Sequence, residues 1–226
     1  MDNLISDILF GFTGLISIIN PIGVAFVFYD RTATLTEDER RLIARRVAVN
    51  AFCVLLVAFF VGAPALHFFG ISIEALRIGG GLAVAVAGWQ MLNAPDAQAP
   101  SAGHDADRFD PEVASSKAFF PLTIPLTTGP GSIATAIALT ANRAHYKLPT
   151  FLLSAAASVA ISVLVMIVIY LVYSRAALLA RYLGVNGTRV ALRVSSFLLL
   201  CIGVQIILTG LDGFLMPLVN LHGAAG

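Results

Sequence analysis

The chain has 226 residues, of which 58% are hydrophobic and 12% are charged, and its mean hydropathy is +0.88. A soluble domain carries roughly 25% charged residues, so this composition excludes an ordinary soluble domain and indicates an integral membrane protein. The formal net charge is only +1 and no basic block is present. We therefore expect no nucleic-acid partner.

Six apolar stretches are each long enough to cross a bilayer as a helix, which takes about 20 residues. They cover residues 4–29, 47–69, 71–92, 119–141, 149–173 and 194–219. The second helix is expected to begin in water near residue 37, with Thr36 as its N-cap and Glu39 completing a capping box. Tyr173 lies near a span end and is interpreted as an anchor at the membrane interface.

Two clusters of helix-breaking residues interrupt this apolar sequence, at residues 20–23 (Asn-Pro-Ile-Gly) and 129–132 (Gly-Pro-Gly-Ser). Proline lacks a backbone N–H and glycine adopts dihedral angles that no helix uses. In hydrocarbon a broken helix survives only where protein or a water-lined cavity covers the freed backbone groups. Matched breaks in the first and fourth spans therefore predict a transporter with its binding site at mid-membrane.

An internal repeat relates the two halves of the chain, because residues 75–78 (Ala-Leu-Arg-Ile) match residues 191–194 (Ala-Leu-Arg-Val) and Pro21 aligns with Pro130. Each half holds three spans, and an odd number inserts the halves in opposite directions. We expect an all-α membrane protein of six transmembrane helices in two inverted three-helix repeats. The repeats are residues 1–92 and 119–226, joined by a cytoplasmic linker at 93–118. The glycine-rich third span is expected to allow close helix packing.

The loops on one side of the predicted membrane carry eleven lysines and arginines, and those on the other side carry three. Because cytoplasmic loops are enriched in these residues, both termini are expected on the non-cytoplasmic side.

The candidate substrate site consists of the two breaks and the hydroxyl side chains beside them. Its residues are Asn20, Pro21, Gly23, Thr123, Thr127, Thr128, Gly129, Pro130, Gly131 and Ser132. The N-terminus of a second half-helix suits a carboxylate, and the carbonyls that end a first half-helix suit an ammonium group. A small zwitterion therefore fits better than a purely anionic or cationic solute. Ser132 is a candidate N-cap, although each Ser or Thr hydroxyl taken alone more commonly bonds back to its own helix.

Acidic residues near span ends are the candidates for coupling to a proton or sodium ion, namely Asp7, Glu74 and Asp212. The four histidines are scattered without metal-ligand spacing, and no nucleophile is paired with a base. We therefore expect no enzyme, no cofactor and no metal site.

The break at residues 20–23, followed by residues 121–133 (Pro-Leu-Thr-Ile-Pro-Leu-Thr-Thr-Gly-Pro-Gly-Ser-Ile), closely resembles the MarC family of integral membrane proteins. The resemblance covers nearly all of the chain. That family is grouped with the LysE-type amino-acid exporters and includes transporters of small neutral amino acids such as glycine and alanine. The resemblance implies this substrate class but neither the coupling ion nor the direction of transport.

The combined prediction is a secondary transporter of small neutral amino acids in the bacterial inner membrane, working by alternating access around the broken helices. The oligomeric state is left open. The first alternative is a channel or an exporter for another small polar solute. An intramembrane enzyme and a structural or regulatory membrane protein are the remaining alternatives.

Overall fold

The computed structural model describes residues 2–93, 118–140 and 148–223, and every helix boundary below refers to these ranges. The predicted linker at 93–118 lies almost entirely outside them. The helices are α1 (Asp2–Ile19), α2 (Pro21–Arg31), α3 (Glu37–Phe68), α4 (Ile73–Leu92), α5 (Pro130–Thr140), α6 (Leu148–Ser174) and α7 (Ala176–Gly223). A distorted segment, Ala118–Thr127, precedes α5. Among the described residues none lies in a β-strand, so the predicted all-α class is confirmed.

Among the described residues, five helical stretches are long and apolar enough to cross a membrane. They are Leu4–Tyr29, Glu37–Phe68, Ile73–Leu92, Phe151–Ser174 and Asn186–Met216. Where the fourth span was expected, at 119–141, the distorted segment has extended backbone at Phe120 and Ile124, and α5 begins only at Pro130. The 11 residues of α5 are about 16 Å long, roughly half the thickness of a bilayer core. This part of the chain is therefore interrupted, as its proline and glycine content predicted.

The N-terminus of α3 forms the predicted capping box. The Thr36 hydroxyl accepts a hydrogen bond from the Glu39 N–H, and the Thr36 N–H donates to the Glu39 carboxylate at 2.8 Å. Glu37, Asp38 and Glu39 occupy the first turn, where negative charge is favourable. The 32 residues of α3 extend about 48 Å, so this helix is longer than the hydrocarbon core is thick.

The last helix differs from the sequence-based expectation. Residues 176–193 were predicted to belong to a link between spans, but they are helical and continue into the sixth span within α7. The backbone departs from helical geometry at Gly184, where φ is +65° and ψ is −179°. Only glycine adopts this conformation readily, so Gly184 divides α7 into residues 176–183 and 185–223.

Helices α4 and α7 pack with their backbones in direct contact. A Cβ atom added to Gly81 would lie 2.7 Å from the carbonyl oxygen of Gly203, and one added to Gly88 would lie 2.9 Å from the carbonyl oxygen of Ser196. The predicted packing role is confirmed for Gly81 and Gly88, since only residues without a side chain permit such an approach.

The apolar core is formed mainly by residues of α1, α2, α3 and α6, including Leu15, Phe28, Val47, Leu55 and Ile169. Around it, α3 packs against α6, the distorted segment and α5, while α6 packs against α3, α1 and α2. In the same way α4 packs against α7 and α5, and α7 packs against α4 and α2. The same pairs of elements are in contact after α1 and α2 are exchanged with the distorted segment and α5, α3 with α6, and α4 with α7.

Candidate functional site

The first predicted break is a single residue in left-handed conformation. Asn20 has φ of +46° and separates α1 from α2, which begins with Pro21. Asparagine is one of the few residues that adopt this conformation at modest cost. Its Oδ1 atom accepts a hydrogen bond from the Gly23 N–H at 3.3 Å, so Asn20 caps the second half-helix.

Asn20 also fixes the break against α7. Its Nδ2 group donates a hydrogen bond to the Ser195 carbonyl at 3.3 Å. Gly23 lies at the same contact, where an added Cβ would come within 2.5 Å of the Ser195 Cβ. The first break is therefore held by a residue 175 positions away in the sequence.

The break frees backbone groups on both of its sides. Pro21 has no N–H, and no acceptor among the described residues receives the Ile22 N–H. In a continuous helix these two positions would donate to the carbonyls of Ser17 and Ile18. Those carbonyls consequently lose their helical partners at the end of α1.

The threonine hydroxyls beside the second break are buried and donate to backbone carbonyls of their own segment. Thr123 donates to Ala118 at 2.7 Å and Thr127 donates to Leu122 at 2.7 Å. Thr128 donates to the Thr123 carbonyl at 3.1 Å. Each side chain is at most 1% exposed. The hydroxyls thus bond to carbonyls of the distorted segment, and each hydroxyl oxygen retains acceptor capacity.

At the second break α5 begins with Pro130 and has no side-chain cap among the described residues. The predicted N-cap role of Ser132 is wrong, because the helix begins two residues earlier and the Ser132 hydroxyl donates to the Gly129 carbonyl at 2.9 Å. No acceptor in the described part of the chain receives the N–H groups of Gly131 or Ser132, and both residues are buried. These two N–H groups form a partly positive helix end inside the protein.

The two breaks lie side by side. A Cβ atom on Gly131 would be 3.4 Å from the Ile18 Cγ2 atom, just before the first break, and would also meet Val84 of α4. The freed carbonyls at the end of α1 and the freed N–H groups at the start of α5 therefore belong to neighbouring turns of the two interrupted helices.

Tyr173 is a component of this region that sequence reasoning missed. It was interpreted as an interface anchor, which is wrong, because the side chain is fully buried. Its ring stacks on Phe28 of α2 with centroids 4.8 Å apart, and its hydroxyl lies 3.0 Å from the Thr127 hydroxyl. Since Thr127 donates elsewhere, Tyr173 is the donor in this pair. A single tyrosine near a span end carries no sequence signal that separates these two roles.

Two of the three candidate coupling acids are separated from the breaks. Asp7 and Asp212 are exposed. Along their helices they lie about 20 Å from Asn20 and about 25 Å from Ser195, respectively. Glu74 is partly buried, and its Cγ would lie 3.4 Å from a Cβ on Gly213 of α7. Within the described residues no group of three or more His, Cys, Asp and Glu side chains could hold a metal ion.

These observations define a helical membrane protein with several apolar spans and two adjacent interrupted helices. Residues 5–215 match the family described as MarC family integral membrane protein. The chain is 30% identical to inner membrane protein MarC of Citrobacter koseri and to that of Salmonella typhimurium, each over 213 residues that cover 93% of this chain and 96% of the relative. It is 31% identical over 215 residues to inner membrane protein MarC of Escherichia coli, with the same coverage.

The chain belongs to the MarC family, as the sequence motifs predicted. No solved structure matches it at a significant level.

Proposed function

We propose that this protein is a secondary transporter of small neutral amino acids, such as glycine or alanine, across the bacterial inner membrane. The observation that carries the proposal is the proximity of the two breaks, in which Ile18 lies against Gly131. A carboxylate would bind the freed N–H groups of Gly131 and Ser132, and an ammonium group would bind the freed carbonyls of Ser17 and Ile18.

Burial and residue size support a small substrate. Gly131 and Ser132 are buried and contribute almost no side-chain volume, and Val84 and Ile18 occupy the adjacent space. Of the two half-helix N-termini, that of α5 is the better carboxylate site, because Asn20 already accepts from a donor at the start of α2. Asn20 and the threonine oxygens would orient the substrate rather than neutralise it.

The similar packing of the two halves of the chain supports the two-repeat part of the proposal. Swapping α1 and α2 with the distorted segment and α5, α3 with α6, and α4 with α7 reproduces the extensive contacts, and only the small contacts of α7 with α1 and α6 lack a counterpart. Such packing is expected for two inverted repeats of three spans, in which the fourth span consists of two halves. Alternating access would follow from movement of the α3–α6 pair relative to the α4–α7 pair around the breaks.

The energy source in this proposal is an ion gradient or the substrate's own gradient. A proton or sodium ion is the candidate coupling ion, and the partly buried Glu74 is the best placed of the three acids. No catalytic step is proposed. The bilayer orientation with both termini on the non-cytoplasmic side is part of the same proposal.

The test is counterflow of radiolabelled alanine and glycine into proteoliposomes that contain the purified chain and an excess of unlabelled substrate. The proposal predicts saturable uptake that depends on internal substrate. Flux that neither saturates nor shows counterflow would instead identify a channel, the runner-up function.

The critical variant is Asn20→Gly. Glycine adopts the positive φ of this position without strain, so the break remains while both side-chain hydrogen bonds are lost. We expect counterflow to fall at least about tenfold, equivalent to the loss of one good hydrogen bond to a bound substrate. Asn93→Gly is the matched control, because Asn93 also bonds a backbone carbonyl at a helix end but lies at the far end of α4. Equal transport by both variants would remove Asn20 from the site.

A further inference from the structure

A cavity of about 250 Å³ lies where the start of α3 meets the junction of α6 and α7, and no residue of either break lines it. Three arginines line it, namely Arg40, Arg41 and Arg175, and Glu37 is the one acid in its lining. Its remaining lining combines Ser174 with apolar side chains, of which Tyr170, Leu171 and Leu178 are exposed on the protein surface.

Arg40 supplies a fixed positive charge to this cavity. The side chain is 6% exposed. Its Nε atom donates to the Thr32 hydroxyl at 3.1 Å, and its Nη2 atom donates to the carbonyls of Thr32 and Leu35 at 2.8 and 3.1 Å. Its guanidinium also lies over the Tyr29 ring, 5.0 Å from the centroid. A guanidinium immobilised in this way loses no side-chain entropy when an anion binds near it.

Arg41 in the first turns of α3 and Arg175 at the junction between α6 and α7 complete the basic lining. Both side chains are exposed, and neither has a hydrogen-bonding role in the fold among the described contacts. They are separated by 134 positions in the sequence and are brought together only by the packing of α3 on α6. Guanidinium groups bind phosphate through paired N–H donors, and Ser174 offers a hydroxyl beside them.

The depth of the cavity agrees with the level of lipid headgroups. Helix α3 is longer than the hydrocarbon core, so its first turns, which contain Glu37 to Arg41, extend into the polar region. The exposed Leu171 and Leu178 lie on the outer rim, where acyl chains would contact them. Basic pockets between transmembrane helices bind anionic headgroups.

We propose that this cavity binds the phosphate of an anionic phospholipid, with Arg41, Arg175 and Ser174 contacting the headgroup and Leu171 and Leu178 contacting an acyl chain. The apolar rim favours a lipid over free phosphate, which has no use for Leu171 and Leu178. The proposal does not depend on transport, because none of these residues lies at the breaks.

The test measures the melting temperature of the purified full chain in dodecyl maltoside with increasing dioleoyl phosphatidylglycerol. A ligand that binds only the native state stabilises it by mass action. We expect phosphatidylglycerol to raise the melting temperature of the wild type more than dioleoyl phosphatidylcholine does. In the R41Q/R175Q variant the lipid concentration needed for half of the shift should rise about thirtyfold, based on the usual contribution of two arginines near a lipid surface.

The matched control is R45Q/R181Q, which removes the same charge from two exposed arginines outside the cavity. The control should retain the wild-type concentration dependence. If the double variant does not fold, the single variants R41Q and R175Q test the proposal instead. Each is expected to weaken lipid binding about fivefold. Equal losses in both double variants, or an equal shift with phosphatidylcholine, would overturn the proposal. A full shift with inorganic phosphate at constant ionic strength would overturn the lipid assignment.

Discussion

Arg40 shows how one charged side chain is accommodated beside an apolar core. Its hydrogen bonds to Thr32 and Leu35 satisfy carbonyls of the connector that follows α2, and the Thr32 hydroxyl in turn donates to the Phe28 carbonyl at 2.7 Å. A cation near the C-terminus of α2 is also favoured by the helix dipole. Arg40 thereby joins the second half-helix of the first span to the start of α3.

Replacing Arg40 by glutamine should lower the free energy of unfolding by about 2 kcal/mol, because hydrogen bonds to a charged group are lost and buried carbonyls remain. The measurement is thermal or denaturant unfolding in dodecyl maltoside. Arg45→Gln is the control, since Arg45 is an exposed residue one turn later on the same helix. A destabilisation of equal size in both variants would show that helix charge, and not the bonds to Thr32 and Leu35, is responsible.

The position of Asn20 at a helix break could be predicted from sequence, but its hydrogen-bond partner on α7 could not. Asparagine before proline and glycine in an apolar stretch predicts a break. The contact with Ser195 depends on the packing of α2 against α7, which no local pattern specifies. The threonines of the second break were likewise predictable as polar residues near a break, but the burial of their hydroxyls was not. That burial depends on a backbone path with extended residues at Phe120 and Ile124.

At the scale of elements, the closest packing in the described structure is that of α4 on α7. Gly203 faces α4 so closely that an added Cβ would lie 2.7 Å from the Gly81 carbonyl oxygen and also against the backbone of Ala85. The backbone atoms of two helices cannot yield as the end of a flexible side chain can. The α4–α7 pair is thus expected to move as one unit.

Gly203→Ala should therefore destabilise the protein by about 1–3 kcal/mol, the usual cost of overpacking. Gly79→Ala is the control, because an added Cβ on Gly79 meets nothing within 4 Å. In that helix interior alanine should be neutral or stabilise by about 0.5–1 kcal/mol. Unfolding in detergent compares the two, and a Gly203→Ala protein as stable as the wild type would contradict the observed helix separation.

The element boundaries divide between those that local chemistry determines and those that it does not. The start of α3 was predictable because Thr36 and Glu39 satisfy each other's backbone donors within one turn. The helical structure of residues 176–193 was not, since their arginines and glycines resemble a polar link between spans. Tyr173 was misinterpreted for a related reason, because burial against Phe28 and Thr127 depends on two other elements.

At the scale of the whole molecule, the proposed inverted repeat predicts the membrane topology. Two three-span halves in opposite orientation would place both termini on one side, and the arginine and lysine distribution predicts that this is the non-cytoplasmic side.

We therefore expect a fusion of alkaline phosphatase to the C-terminal end of the chain to be enzymatically active in bacteria, and a fusion of green fluorescent protein there to be dark. The reciprocal control places both reporters after residue 93, where the phosphatase should be inactive and the fluorescent protein bright. A bright fluorescent fusion at the C-terminal end would contradict the proposed orientation.

The sequence by itself determined the membrane environment of this protein, its all-helical class, the two breaks and its family. Hydropathy, the hydrogen-bonding capacity of the backbone and motif spacing are all local properties. Only the tertiary structure decided that Ile18 lies beside Gly131, that Asn20 bonds to Ser195 and that Tyr173 connects Phe28 with Thr127. Those contacts join residues far apart in the chain, so they depend on how the helices pack together, which no local pattern encodes.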